Sequence, residues 1–122
     1  MRAEIISVGT ELLLGQIVDT NAPYLSGALS GLGIDVYHRS TVGDNSARLA
    51  EVLRTALNRA DVVITIGGLG PTQDDLTKET IAEVLGEQMV VDPDSENEIK
   101  AFFERRGIPI VQSNLKQALR PK

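Results

Sequence analysis

The stretch Val62-Val63-Ile64-Thr65-Ile66-Gly67-Gly68-Leu69-Gly70-Pro71-Thr72-Gln73-Asp74-Asp75 decides how this chain is read. Its first five residues are all β-branched. They predict a fully apolar strand of the kind found at the centre of a parallel sheet. The strand stops at two adjacent glycines, a third glycine and a proline follow, and two carboxylates stand just ahead of a helical segment. Glycines at a strand's end carry no Cβ, so backbone N–H groups can approach an anionic or planar ligand. The carboxylates then stand where a metal, a ribose hydroxyl or an attacking water can be held. The alternative without a ligand is a tight strand-to-helix turn in which Asp75 serves as helix cap.

The flanking segments alternate. Glu4 to Val8 is a short run ended by Gly9, a first strand. Glu11 to Val18 is apolar but interrupted by Gly15, and reads as a hairpin-like excursion or a short helical turn. Thr20-Asn21-Ala22-Pro23 starts a helix, with a hydroxyl cap and a proline in the first turn. Leu25, Ala28, Leu29 and Leu32 follow at helical spacing until Gly33, and Ile34 to Val42 is the second strand. Asp44-Asn45-Ser46 caps a helix with Leu49, Val52, Leu53, Ala56 and Leu57 on one face.

Beyond the opening stretch, Thr77 to Leu85 is a helix with Ile81, Val84 and Leu85 inward. Met89 to Val91 is extended, and Asp92-Pro93 opens a helix carrying Ile99, Phe102 and Phe103 and ended by Gly107. Asn114 to Leu119 adds one or two helical turns. The β-α-β-α-β-α order predicts an α/β fold: a three-layer, doubly wound, mostly parallel sheet with helices on both faces. The chain stops at Arg120-Pro121-Lys122 with no strand after the last helical segment. A sheet of this type usually continues, so the single 1–122 domain is expected to be truncated.

In doubly wound sheets ligands sit outside the carboxyl ends of the strands. Three loops therefore converge by topology: Gly9-Thr10-Glu11, Gly43-Asp44-Asn45 and Gly67 to Asp75. Each carries glycine and an acid. Two common nucleotide cradles are excluded. A dinucleotide fingerprint starting at Gly68-Leu69-Gly70 needs glycine where Gln73 stands, and no Gly-Lys-Ser/Thr tripeptide is present. Asp44 is either helix cap or site acid. Glu11, a carboxylate beside the apolar Leu12 to Leu14, wants a partner. Asp19 and Asn21 read as caps, and the lone His38, within a strand, as structural.

Composition narrows the chemistry. A length of 122 residues fits one domain, and with aromatics at 3% the core must be aliphatic. A net charge of −5 and no tryptophan argue against nucleic acid as partner. The charge is uneven: Asp92, Asp94, Glu96, Glu98 and Glu104 form an acidic stretch. Five basic residues and no acid follow between Arg105 and Lys122. Both stretches read as solvated faces, and the basic one alternatively as a phosphate-facing edge. Without cysteine and with one histidine, thiolate zinc and multi-histidine sites are excluded, so a metal here is a hard cation on oxygen ligands, Mg²⁺ or Mn²⁺. No stretch approaches membrane-spanning length, and Met1-Arg2-Ala3-Glu4 opens straight into a strand, so the expected location is cytoplasmic.

Assembled, Gly67-Gly68-Leu69-Gly70-Pro71-Thr72-Gln73-Asp74-Asp75-Leu76-Thr77 resembles the Gly-Gly-x-Gly…Asp-x-Thr signature of the molybdopterin-binding domain of the MoaB/MogA type. Gly9-Thr10-Glu11-Leu12-Leu13-Leu14-Gly15, Asp19-Thr20-Asn21, Val42-Gly43-Asp44-Asn45 and Asn114-Leu115-Lys116-Gln117-Ala118 resemble more narrowly the CinA (competence/damage-inducible) branch. The resemblance implies a pterin- or nucleotide-diphosphate-sized pocket at the strand ends. In pterin-handling relatives it ties acids matching Asp44 and Asp75 to adenylyl transfer onto molybdopterin. In CinA relatives it implies metal-dependent hydrolysis of ADP-ribose at its pyrophosphate.

The expected site follows. Asp44 and Asp75 are catalytic. Gly9, Thr10, Glu11, Gly67, Gly68, Leu69, Gly70, Thr72, Asn114 and Lys116 bind ligand. Glu11, Asp44 and Asp75 hold a divalent ion (Mg²⁺, Mn²⁺ or Co²⁺) that activates water, and Lys116 neutralises the leaving phosphate. The ligand is a small nucleotide or a pterin, and relatives imply a dimer or trimer. Relatives often carry a second domain that deamidates nicotinamide mononucleotide, for which this chain has no residues. Two departures stand out: Leu69 replaces the threonine usual in the cofactor-synthesis branch, and the Gly- and Asn-rich segment that follows Lys116-Gln117-Ala118 in relatives is absent.

Overall fold

A computed structural model describes all 122 residues. Three parallel strands form the main sheet: β1 (Arg2–Val8), β2 (Asp35–Val42) and β3 (Val62–Ile66), in the order β2-β1-β3. The central strand is thus β1, and the all-apolar β3, expected at the centre, lies at an edge of this sheet. The physical reason is visible in the burial: β1 is buried from Ala3 to Val8, whereas β3 is only half-buried.

Alternation along β1 sorts the two faces. Ile6 and Val8 pack with Val42 and with Leu49, Leu53 and Ala56 of α3 (Ser46–Arg59). Ile81 and Val84 of α4 (Thr77–Leu85) join that core. Leu85, expected inward, is exposed, and the buried residues of α4 are Thr77, Thr80 and Ala82. On the other face Ser7 is joined by a hydrogen bond to Asp19, just ahead of α2 (Asn21–Gly31). The doubly wound, parallel α/β architecture is therefore observed, with helices on both faces of the sheet.

The helix starts refine the sequence reading. Asn45, not Asp44, caps α3: its side chain accepts from the Arg48 N–H at 3.0 Å. Thr20 makes no side-chain cap to α2, and Asp19 Oδ1 accepts from the Ala22 N–H at 3.1 Å in its place. The apolar stretch after Gly9 begins as the one-turn helix α1 (Thr10–Leu13).

The last third forms a satellite. β4 (Met89–Val91) leads into α5 (Pro93–Arg106), capped by Asp92 and closed by Gly107 in the left-handed region. A short helix α6 (Gln112–Leu115) and a 3-10 turn (Lys116–Ala118) follow. The chain then does add a strand after its last helical segment, contrary to expectation: β5 (Leu119–Pro121) pairs antiparallel with β4, outside the main sheet. Lys78 of α4 fastens this satellite, its Nζ donating to the carbonyls of Lys116, Gln117 and Leu119 at 3.3, 3.1 and 2.7 Å. No helix is long and apolar enough to cross a membrane.

Candidate functional site

The C-terminal ends of β1, β2 and β3 meet through their own backbone. The Gly9 N–H donates to Val42 O at 2.9 Å, and the Asp44 N–H donates to Thr10 Oγ1 at 3.0 Å. A Cβ on Gly67 would lie 2.3 Å from Val8 O, so the β3 loop is pressed directly against the end of β1.

The glycine pair is first of all a structural necessity. Gly67 and Gly68 have φ of 94° and 68°, a region that other L-residues rarely enter. A Cβ on Gly68 would stand 2.1 Å from Thr77 Oγ1. Thr77 is fully buried, donates from Oγ1 to Gly67 O at 2.7 Å and from N–H to Gly68 O at 3.2 Å. The carbonyls of the turn are thereby pinned to the start of α4, while the N–H groups of Gly68 and Leu69 find no acceptor in the chain.

Asp75 does not cap α4, whose N-cap position is Leu76. It folds back over its own loop instead. Its Oδ2 accepts from Thr72 N–H at 3.0 Å and Thr72 Oγ1 at 2.7 Å. The Thr72 hydroxyl chiefly, together with the Thr72 and Gly70 amides and the Lys116 charge, holds the Asp75 carboxyl below its ordinary pKa despite partial burial. A carboxylate so stabilised stays ionised and is a weak proton acceptor, which suits charge and positioning better than general base work. Asp74 is exposed.

Lys116 is also committed. Its Nζ donates to the carbonyl oxygens of Thr72 and Asp75 and stands 3.7 Å from Glu79 Oε1. It fastens the Gly-rich loop from beneath. Asn114 sits two residues earlier, its Oδ1 accepting from Val111 N–H at 3.0 Å.

Glu11 lines a cavity of about 250 Å³ together with Gly67, Ser7, Asp19, Thr20 and Asn21. Asp44 and Asp75 are not part of its wall. No three carboxylates or histidines come together as a group that could hold a metal ion. The metal set expected from Glu11, Asp44 and Asp75 is therefore not assembled by the chain alone: Asp75 is spent on the Thr72 turn, and Asp44, whose Oδ2 lies 3.5 Å from the Thr10 N–H, is not on the wall that Glu11 lines. His38 lies in β2 with Nδ1 3.7 Å from Glu4 Oε1, away from the loops.

The sequence reading passed over the Ser7–Asp19 pair. Ser7 Oγ donates to Asp19 Oδ2 at 2.6 Å on the wall of the Glu11 cavity. This bond first, then the Ala22 amide, keeps the Asp19 carboxyl below its ordinary pKa. The signal was present: a serine inside the apolar run Ile5-Ile6-Ser7-Val8 of a central strand needs a buried partner.

Comparison with known proteins places this geometry. The family model described as "Probable molybdopterin binding domain" matches residues 4–118. A CinA-like protein of Dictyoglomus turgidum is 58% identical over 118 residues, 97% of this chain, and the chain spans 29% of that relative's length. The crystal structure of CinA from Thermoplasma acidophilum, described as of unknown function, superposes with a TM-score of 0.88 at 34% identity, covering 98% of this chain and 70% of that one. The molybdopterin biosynthesis enzyme MoaB of Thermus thermophilus superposes with a TM-score of 0.67 at 25% identity, covering 97% of this chain and 72% of that one. With the Gly67–Thr77 turn, the strand order and these likenesses in agreement, the chain belongs to the molybdopterin-binding-domain family, on its CinA branch.

Proposed function

We propose that this chain is a binding module for a small phosphorylated ligand, a pterin or a nucleotide, seated at the carboxyl ends of β1, β2 and β3. The observation that carries the reading is the pair of unpaired N–H groups on Gly68 and Leu69, in a turn whose carbonyls are turned away and pinned to Thr77. Successive outward amides in a glycine turn make a concave seat for phosphate oxygens. Gly9, Thr10 and Glu11 close one side of that seat, and Gly70, Thr72 and Asp75 the other. The module occupies residues 1–122 as one unit, acts in the cytoplasm, works as a dimer or trimer, and has neither nucleic acid nor membrane as partner. Any amidase domain would lie outside this chain.

The first test is calorimetric titration with molybdopterin, AMP, ADP-ribose and pyrophosphate. The reading expects saturable binding of at least one phosphorylated pterin or nucleotide. No binding by any of the four would refute it.

A second reading is hydrolysis of an ADP-ribose-like diphosphate. It is favoured by Glu11 on the wall shared with Gly67, and by Asp44 fastened to Thr10 next door. Mg²⁺ commonly takes one or two carboxylates and completes its shell with substrate phosphates and water. Glu11 and Asp44 would then hold a Mg²⁺, Mn²⁺ or Co²⁺ ion that arrives with the substrate, with Asp75 ordering the loop. Incubation of ADP-ribose with each metal should release AMP, and Asp44→Asn should abolish the release. Adenylylated molybdopterin formed from ATP would instead point to adenylyl transfer.

A further inference from the structure

The charges of α5 are segregated along its length. Asp94, Glu96 and Glu98 stand in its first half, Arg105 and Arg106 at its end. The helix buries none of its fourteen residues, so the fold leaves one of its sides without a partner. Asp94, Glu98, Ala101, Phe102 and Arg105 recur at helical spacing along that side, and all five are exposed. Phe102, 43% exposed, is the large apolar group among them. Its ring is held before any partner arrives: Arg106 lies 4.6 Å over it, and Phe103 meets it edge to face at 5.5 Å.

Glu96 is taken by Lys100 at 2.7 Å, whereas Glu98 and Arg105 form no ion pair within the chain. Seven residues apart, they are separated by about 10 Å along the helix axis, too far to pair with each other. Glu98 stands three residues before Ala101, and Arg105 three after Phe102. That order is complementary to itself. When a second α5 is laid antiparallel, each Glu98 falls opposite the other copy's Arg105. Ala101 and Phe102 then lie at the two-fold axis, where the small alanines leave room for the two rings. A partner carrying one sign of charge would be drawn to one end of this stripe and repelled at the other. A chain of net charge −5 resists meeting its own copies, except where opposite charges face each other as they do here.

We propose that α5 is the interface between two copies of this chain, paired antiparallel about a two-fold axis between Ala101 and Phe102. Glu98 and Phe102 also line a cavity of about 580 Å³ with Pro71 of the Gly-rich loop, so the second copy is seated beside the candidate site. The pairing deepens the assembly given under the proposed function and rests on that assembly, but no ligand enters it. It selects the dimer, because a patch that meets itself across a two-fold axis cannot close a trimer.

Sedimentation velocity of the whole chain, from micromolar to millimolar concentration, should show a monomer–dimer equilibrium. Glu98→Arg and Arg105→Glu, each alone, set like charges opposite each other and should raise the dissociation constant about tenfold. The two changes together exchange the charges and should bring the constant back towards wild type. The chain has no cysteine, so Ala101→Cys reads the distance directly. Mild oxidation should link two copies through it, while Thr55→Cys, at an exposed position of α3, stays unlinked. Monomer at every concentration would overturn the pairing and the assembly together. A trimer, a dimer indifferent to the single exchanges, no rescue in the double variant, or no link through Ala101→Cys would overturn this interface and leave the assembly standing.

Discussion

At the scale of single residues, Thr77 and the glycine pair form the tightest unit of the site. Thr77→Val keeps the shape but leaves Gly67 O without its hydroxyl donor in a buried place, and should cost about 1–3 kcal/mol. Gly67→Ala sets a Cβ against a backbone carbonyl at positive φ and should cost at least about as much. Urea denaturation measures both, and two wild-type midpoints would show that the turn is loose. The acids make a second prediction. Asp19 and Asp75 have folded-state pKa values below those of the unfolded chain. Their contribution to stability is thus complete above the ordinary carboxylate range and is lost as pH falls through the lowered values. Asp19→Asn should flatten the stability–pH curve below about pH 4, where wild type still loses stability on acidification. Sequence showed which acids sit at strand ends, but not what each one does there. Asp44 and Asn45 are both good caps on paper; only the backbone of residue 45, extended at φ −142°, decides which of them caps α3. Likewise Asp75 read as helix cap or site acid and Lys116 as a ligand residue, and spacing alone could not reveal that each is bonded to the same loop.

At the scale of elements, strands and helices were legible because their periodicity is strong. The helix α3 is the clearest case: Leu49, Leu53 and Ala56 recur along one face, and all three are buried. Leu53→Ala should cost about 2–5 kcal/mol, since the cavity opens in the middle of the core. Asn45→Ala should cost about 1 kcal/mol by loss of the cap. The ranking itself is the test: a cap variant more damaging than the core variant would mean that α3 is held by its end rather than its face. The failures are equally physical. Strand rank within the sheet depends on what lies to either side, and an apolar five-residue run has the same composition at an edge as at the centre. β5 was missed because Leu119-Arg120-Pro121 carries no strand pattern of its own; it is extended because β4 is there to pair with it.

At the scale of the whole molecule, two lysines connect the satellite to the site. Lys78 reaches from α4 to three carbonyls of segment 116–119, and Lys116 reaches back from that segment to the carbonyls of Thr72 and Asp75. Burial lowers the Lys78 pKa, with the Lys116 charge adding to the effect and Glu79 opposing it. The Gly-rich loop is thus ordered from both ends: by Thr77 at its start and through Lys116 at its acidic end. The sheet core, with Ile6, Leu49 and Leu53, takes no part in the lysine contacts. Lys116→Met keeps the length of the side chain and removes its donors. It should therefore loosen the loop without unfolding the domain. The Asp75 N–H, which donates to Thr72 O at 3.2 Å, is the reporter. Its hydrogen exchange should quicken about tenfold, since local opening is set by the few bonds that hold the segment, while the β1 and α3 amides keep wild-type protection. Equal acceleration at Ile6 and Leu53 would mean that Lys116 supports the whole fold. Unchanged exchange at Asp75 would mean that Thr72 and Asp75 order the loop alone, and that the satellite touches the site without controlling it.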